Sequence, residues 1–214
     1  MARTTKTLRG KIRKSSYVSK RALRRSEILS TSAKLFSLKS YHDVTMEEVA
    51  RKVGVSKGTI YLYFESKENL YLEILENAFD SLVSLIEVEL AKEYAAPKKL
   101  LEVLKLIFGY YRKHTDVLRI LSRDETHLIR EHYEMTERWR KRGLQLYEKI
   151  IEKGIREGSF RATNSKLTAL IIYALVRSIT FYYTTKKKPG EVAEEVYSVI
   201  VNGILNPAKK TMTA

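Results

Sequence analysis

From Ser19 onward the apolar positions recur at helical spacing and nowhere alternate as a strand would. Ile28, Leu29, Ala33, Leu35 and Phe36 fall three, four and seven residues apart, which predicts a helix over 19–39. "SYHDV" breaks that pattern. "TMEE" then opens a short helix, with Thr45 as N-cap and Glu48 three positions on to reach back to the Thr45 amide. Met46, Val49, Ala50 and Val53 form its inner side, and Gly54 stands where a left-handed C′ residue is wanted. Ser56 can cap a further short helix whose inward pair is Ile60 and Phe64. Ser66 starts a long helix that runs to about Lys92. Pro97 marks the first turn of the next helix, and Thr115 or Asp116 caps a short one over 115–123. Longer amphipathic helices follow over 125–157, ending at Gly158, and over 165–187, stopped by Pro189. The last covers 190–205 and is closed by Asn206-Pro207. Residues 1–18 are polar, basic and aperiodic, and predict a disordered arm. The fold class is all-α, with no internal repeat.

Residues 45–64 form a unit: a helix of two turns, a tight turn through glycine, and a second short helix. Ala50 is small where the two helices cross. This is the helix-turn-helix arrangement, whose second helix enters the DNA major groove. With Ile60 and Phe64 turned inward, the outward residues are Lys57, Gly58, Thr59, Tyr61 and Tyr63. Gly58 costs about 1 kcal/mol in a helix relative to Ala, which makes sense where a backbone must approach another molecule closely. Thr59 offers a hydroxyl and a methyl to base edges. Tyr61 and Tyr63 offer hydroxyls to phosphates. Lys57 and Lys67 add charge, and Thr45 and Ser66 open helices whose free amides favour phosphate.

Charge strengthens this reading. The formal net charge is +15, and residues 1–67 carry sixteen of the 40 Lys and Arg but five of the 25 Asp and Glu. A positive field gathered in the first third points to a polyanion, most simply double-stranded DNA. The hydrophobic content of 44% supplies a core. Cysteine is absent, which excludes disulfides and thiolate metal sites and suits a reducing cytoplasm, the expected location. The longest apolar run, 167–176, is stopped by Arg177 and is too short for a membrane span, which needs about 20 residues. The basic N-terminal stretch lacks the apolar core of a secretory signal, and Leu8 and Ile12 make a poor apolar face for a transit peptide.

"TMEEVARKVGVSKGTIYLYFESKENLYLEIL", 45–75, closely resembles the DNA-binding module of the TetR (tetracycline-repressor-like) family. The order is Thr at the start of the second helix, Ala-x-x-x-Gly-Val-Ser through the turn, Gly-Thr-x-Tyr-x-Tyr-Phe, then Ser-Lys-Glu-x-Leu. With the preceding helix the resemblance covers about 19–75; beyond that only the all-α layout fits. It implies a homodimer, with a DNA-binding domain over 19–65 and an effector-binding and dimerisation domain over 66–205, followed by a tail over 206–214. It also implies a repressor released by a small molecule, with the helix from Ser66 connecting the two parts. Carried over by position, Thr45, Thr59, Tyr61, Tyr63 and Lys67 match contact positions on DNA, with Lys57 and Gly58 beside them. The arm over 1–18 is longer than the usual short tail.

The helix over 165–187 is apolar nearly all round. Leu167, Leu170, Ile171, Ala174, Leu175, Ser178 and Tyr182 lie on one side; Ile172, Val176, Ile179 and Tyr183 lie on the other. One side can face its own core, and a partner subunit is the simplest cover for the other. Val192, Val196, Val199, Ile200 and Gly203 of the last helix would join it, giving a four-helix interface and a palindromic operator. Effector-lining candidates are aromatic: Phe108, Tyr110, Tyr111, Trp139, Tyr147, Tyr173 and Phe181. The charged stretch 123–142 would offer Arg or His to an anionic head group, as a fatty acid or acyl-CoA would need.

An enzyme finds little support. His127 and Glu131 lie at i, i+4, but no third metal ligand is evident. Neither a Gly-rich phosphate loop nor a Gly-x-Ser-x-Gly elbow occurs, and no cofactor is implied. A basic protein that binds DNA by charge alone is the other alternative. If the outward set touches DNA, Tyr63→Ala and Lys67→Ala should weaken operator binding while dimerisation and thermal stability stay nearly unchanged. Electrophoretic-shift titration and thermal denaturation of the two variants check this.

Overall fold

The structure is a computed structural model that describes the backbone of residues 2–204 and the side chains of residues 20–204. Among the described residues the regular elements are all helices: α1 (Ala2–Leu38), α2 (Met46–Val53), α3 (Lys57–Tyr61), α4 (Lys67–Ala91), α5 (Ala96–Lys113), α6 (Thr115–Glu131), α7 (Tyr133–Arg156), α8 (Ser165–Tyr182) and α9 (Pro189–Ile204). No helix among them is long and apolar enough to cross a membrane. Two compact units divide the chain, Met1–Glu76 and Asn77–Ala214, with the division inside α4.

In the first unit α1 and α3 each pack on α2. The predicted inward residues do form its core. Ile28, Phe36, Val49, Ile60, Phe64 and Leu70 are each at most 1% exposed. α1 begins at Ala2, so regular backbone reaches back through the stretch expected to be an arm. That stretch has no proline and one glycine, Gly10, so nothing in it forbids propagation from the apolar-anchored turns. Its side chains, the tail over 206–214 and the Asn206-Pro207 stop lie outside the described residues.

In the second unit α5 packs against α9 and α7 against α8, with α5, α6 and α7 also in contact. One core joins them, built from Leu100, Leu104, Ile150, Ile151, Phe160, Ile172 and Ala193 among others. Two polar groups complete helix ends there. The ammonium of Lys99, 5% exposed, donates to the carbonyls of Leu90 (2.5 Å) and Lys92, satisfying the last turn of α4. The Glu157 carboxylate accepts the Ala96 amide at 3.0 Å, serving the start of α5, where the N-cap Ala95 has no side chain to do so.

The boundaries differ from the sequence reading at three further places. The short helix expected over 115–123 continues to Glu131, and the joint falls at His132 (φ −129°, ψ 43°) instead of near 124. Neither Gly nor Pro marks that joint, so no local signal revealed it. His114 precedes α6 and makes no side-chain cap, so neither Thr115 nor Asp116 acts as one. α8 ends at Tyr182, five residues before the predicted stop, because Tyr183 turns extended (φ −92°, ψ 105°) well ahead of Pro189.

Gly154 is buried in α7 where the Phe160 ring crosses it; a Cβ there would stand 2.0 Å from a ring carbon. Phe160 is itself 2% exposed and has nowhere to retreat. Gly154→Ala should therefore cost about 1–3 kcal/mol by overpacking, read as a lowered midpoint in chemical denaturation.

Candidate nucleic-acid interface

Four local devices set the direction in which α3 points. Thr45 Oγ1 accepts the Glu48 amide at 3.2 Å and starts α2. Only half of the expected reciprocal cap forms, because the Glu48 carboxylate binds Lys39 Nζ at 2.7 Å instead. Gly54 takes φ +80°, a conformation strained for other residues, and its amide and that of Val55 both donate to the Ala50 carbonyl, at 2.9 and 3.0 Å. Ser56 Oγ accepts the Thr59 amide at 3.1 Å and starts α3. Ser66 Oγ accepts the Asn69 amide at 2.9 Å and starts α4.

With Ile60 at 0% and Phe64 at 1% exposure on the inner side, the outer side is open. Thr45, Lys57, Gly58 and Tyr61 are exposed; Thr59 and Tyr63 are partly so. A Cβ on Gly58 would meet nothing closer than Ser56 Oγ at 3.9 Å. No described neighbour within the protein demands a glycine there. The Thr59 hydroxyl shares a 2.8 Å hydrogen bond with Ser56 Oγ, which orients it while leaving acceptor capacity free.

The two lysines behave differently from a pair of free ammoniums. Lys57 pairs with Glu47 and lies 5.9 Å from the Tyr61 ring centre. That hydrogen bond holds the Glu47 carboxyl below its usual range. Both groups are exposed, so the pair is weak and a phosphate can compete for the ammonium. Lys67 is partly exposed, but its ammonium is engaged within the unit. Its Nζ donates to the carbonyls of Tyr41 (2.9 Å) and Val44 (3.0 Å) and sits 4.4 Å from the centre of the Tyr41 ring. The expectation that it points outward fails because the α1–α2 connection leaves two carbonyls without helical partners beside the first turn of α4. One of its three donors remains for a phosphate.

Sequence reading missed the α1 contribution. Arg21 Nη2 donates to Leu62 O at 3.5 Å, and the guanidinium lies 5.8 Å from the Tyr63 ring centre. Lys20 and Arg24 are exposed on the same helix. The signal was present as a dense basic run just before Ile28, but its side chains could not be placed against α3 without the tertiary fold. Arg25 is paired with Glu73 of α4 through both terminal guanidinium nitrogens and covers the Phe64 ring at 4.9 Å.

Of the aromatic effector candidates, Phe108, Tyr110 and Tyr147 lie in the core of the second unit and Tyr111 and Tyr173 pack against it. Phe108, Tyr110 and Tyr147 are at most 9% exposed. Tyr110 spends its hydroxyl on Ala78 O at 2.8 Å. Tyr111 approaches Phe181 edge-on, with ring centres 6.5 Å apart. Trp139 instead stacks on Phe79 at 5.3 Å. Tyr173 lies beside Gly143, where α7 and α8 cross; a Cβ on Gly143 would be 3.0 Å from its ring. Burial, reinforced by the nearby Tyr173, pushes the Tyr111 and Tyr147 phenols far above their ordinary range, so both remain protonated donors. The stretch 123–142 is not a free basic mouth: Arg123 pairs with Asp124, Arg130 with Glu131, Arg140 with Glu137 and Arg142 with Asp80, at 2.6–2.8 Å. Glu131 is thus engaged by Arg130, and no group of three or more metal-ligating side chains occurs among the described residues.

Residues 28–74 match the family described as bacterial regulatory proteins, tetR family, and residues 95–204 match the tetracyclin repressor-like C-terminal domain. The chain is 24% identical over 192 residues to the HTH-type transcriptional repressor KstR2 of Mycolicibacterium smegmatis, covering 86% of this chain and 91% of that protein. It is 27% identical over 189 residues to the nucleoid occlusion factor SlmA of Shewanella amazonensis, covering 85% and 95% respectively. The fold is similar to that of the transcriptional regulator FadR from Bacillus subtilis, solved with stearoyl-CoA. There the TM-score is 0.74 at 19% identity, over 84% of this chain and 98% of that one.

The Lys67 geometry revises one expectation. Lys67→Met should lower stability by about 1–3 kcal/mol, the worth of charge-assisted hydrogen bonds lost to two carbonyls. Tyr63→Ala should still leave stability nearly unchanged. Chemical denaturation of both variants checks the contrast.

Proposed function

The chain belongs to the tetR family of bacterial regulatory proteins, and from that premise we propose that it is a transcriptional repressor, not an enzyme, that grips a palindromic operator as a homodimer and is released by a small apolar effector. The observation that carries the DNA reading is the outward set on α2 and α3. Thr45, Lys57, Gly58, Thr59 and Tyr61 crown a helix-turn-helix whose inner side is fully buried. In the proposed complex α3 enters the major groove. Thr59 reads base edges, Tyr61 and Tyr63 hold phosphates, and Lys57 exchanges Glu47 for a phosphate.

The dimer reading is supported by α8. Leu167, Leu170, Ile171 and Tyr182 are 44–68% exposed along one side, with Ala174 and Ser178 between them, while Ile172 and Val176 are buried in the core. A contiguous apolar strip of this kind calls for cover. α9 brings less to it than its pattern suggests. Val192, Val196 and Ile200 are buried within the second unit, leaving Val199 at 70% exposure with exposed Ser198, Asn202 and Gly203 around it. Those small residues allow close approach of a partner helix. A homodimer that reads a palindrome must seat its two α3 helices about one DNA turn apart or a multiple of it.

The effector reading draws on the aromatic interior of the second unit and on FadR, solved with stearoyl-CoA. A fatty acid or acyl-CoA suits the apolar side chains. Tyr111, Tyr147 and Tyr173 supply protonated phenols as donors to its polar end. Release follows if the effector binds better to a state of the dimer that fits DNA poorly, and only to the extent of that preference.

Native mass spectrometry of the purified protein should give twice the chain mass and any retained ligand together. In competition binding, a palindromic operator should be preferred over random duplex by about 10³-fold or more. Equal affinity for both duplexes would assign the protein to charge-driven DNA binding instead, and a mass of one chain would remove the dimer.

A further inference from the structure

The outward surface of the helix-turn-helix carries a carboxylate, the kind of charge that a polyanion opposes. Glu47 stands in the first turn of α2 and pairs with Lys57 at the start of α3; the two side chains are 60% and 49% exposed. Arg51 lies one helical turn on in α2, but among the described residues the ion pair of Glu47 is with Lys57, across the turn. That contact sets the carboxylate against the cation that leads the outward set, whose ammonium lies 5.9 Å from the Tyr61 ring centre. The start of α2 has other supports. Thr45 Oγ1 accepts the Glu48 amide at 3.2 Å, and Glu48 is a second acid in the same turn.

We propose that Glu47 is a specificity-determining residue that makes the phosphate contact of Lys57 conditional on a cytosine in the operator. The inference rests on the DNA-binding reading above and deepens it. A carboxylate repels every phosphate, and while it holds Lys57 that cation adds little to binding by charge alone. When Lys57 turns to a phosphate, Glu47 is left without its cation at the edge of the major groove. The N4 amino group of cytosine then donates to it. Cytosine presents that donor with no acceptor on its own edge, whereas adenine sets N7 beside its amino group, and guanine and thymine present carbonyl oxygens. Both charges are satisfied only on the right base, and any other leaves an unpaired carboxylate facing acceptors. Discrimination of this kind works by penalising the wrong partner as well as rewarding the right one.

The test is in vitro selection from a pool of random duplexes with the full chain, alongside titration of one random duplex at several salt concentrations. Selection with Glu47→Ala should turn one C·G pair of each half-site degenerate, with a roughly tenfold loss of discrimination there, and leave the rest of the motif intact. Glu47→Gln removes the charge at nearly constant size. It should raise affinity for random duplex by about twofold or more and steepen log K against log salt by about 0.9, the value of one added phosphate contact. A gain in affinity cannot arise from misfolding, so this variant protects the test from a trivial loss. If Glu47 only supports α2, both variants melt earlier and bind more weakly with the same motif, which overturns the inference. No gain in Glu47→Gln, or a motif that Glu47→Ala leaves unchanged, also overturns it and leaves the repressor reading standing. If the unmodified protein enriches no motif, the repressor reading falls, and this inference with it.

Discussion

One carbonyl oxygen carries the angle between α2 and α3. Ala50 O accepts the amides of both Gly54 and Val55, which closes the end of α2 and turns the chain within two residues. The turn needs φ +80° at Gly54, which an L side chain adopts only under strain. Because the turn is so short, the side of α3 that bears Ile60 must face the core and the side that bears Lys57, Gly58 and Tyr61 must face out. Ser56 and Ser66 then start α3 and α4 without any slack in the chain between them. The exposed hydroxyls and charges are thus consequences of backbone geometry three to seven residues earlier.

Cations in the first unit do two kinds of work, and their partners separate them. Arg25 and Lys67 are spent inside the unit: one ties α1 to α4 through Glu73, the other takes up two loop carbonyls under the Tyr41 ring. Charge-assisted bonds to groups that water cannot fully reach are worth more than exposed pairs, and breaking them leaves polar groups unsatisfied. Lys20, Arg21 and Lys57 remain at the surface, where a phosphate can take them at little cost in stability. A net count of basic residues does not distinguish these roles, although both contribute to the same positive field.

The second unit shows a related division between apolar groups. Ile172 and Val176 close the core, while Leu167, Leu170 and Ile171 on the opposite side of α8 are left exposed by the chain's own packing. Two polar groups there serve helix ends: buried Lys99 the last turn of α4 and exposed Glu157 the first turn of α5. Arg123, Arg130, Arg140 and Arg142 are paired with acids, so an anionic effector would find phenols and apolar rings there more readily than these four guanidinium groups.

The sequence by itself determined the all-helical class, the helix-turn-helix with Thr45, Gly54 and Ser56 at its corners, and the buried pair Ile60 and Phe64. These are written in local periodicity and in residues whose backbone or side chain acts within four positions of itself. The two-sided apolar character of α8 was legible for the same reason. Only the tertiary structure decided that Lys67 turns to the Tyr41 and Val44 carbonyls, that Arg21 meets Tyr63, that Val192 and Val196 belong to the core, and that the α6–α7 joint falls at His132. Each of these depends on groups brought together from distant positions or on a bend that no Gly or Pro announces. A charged or apolar side chain has several nearly equal uses until the fold chooses which neighbours can reach it.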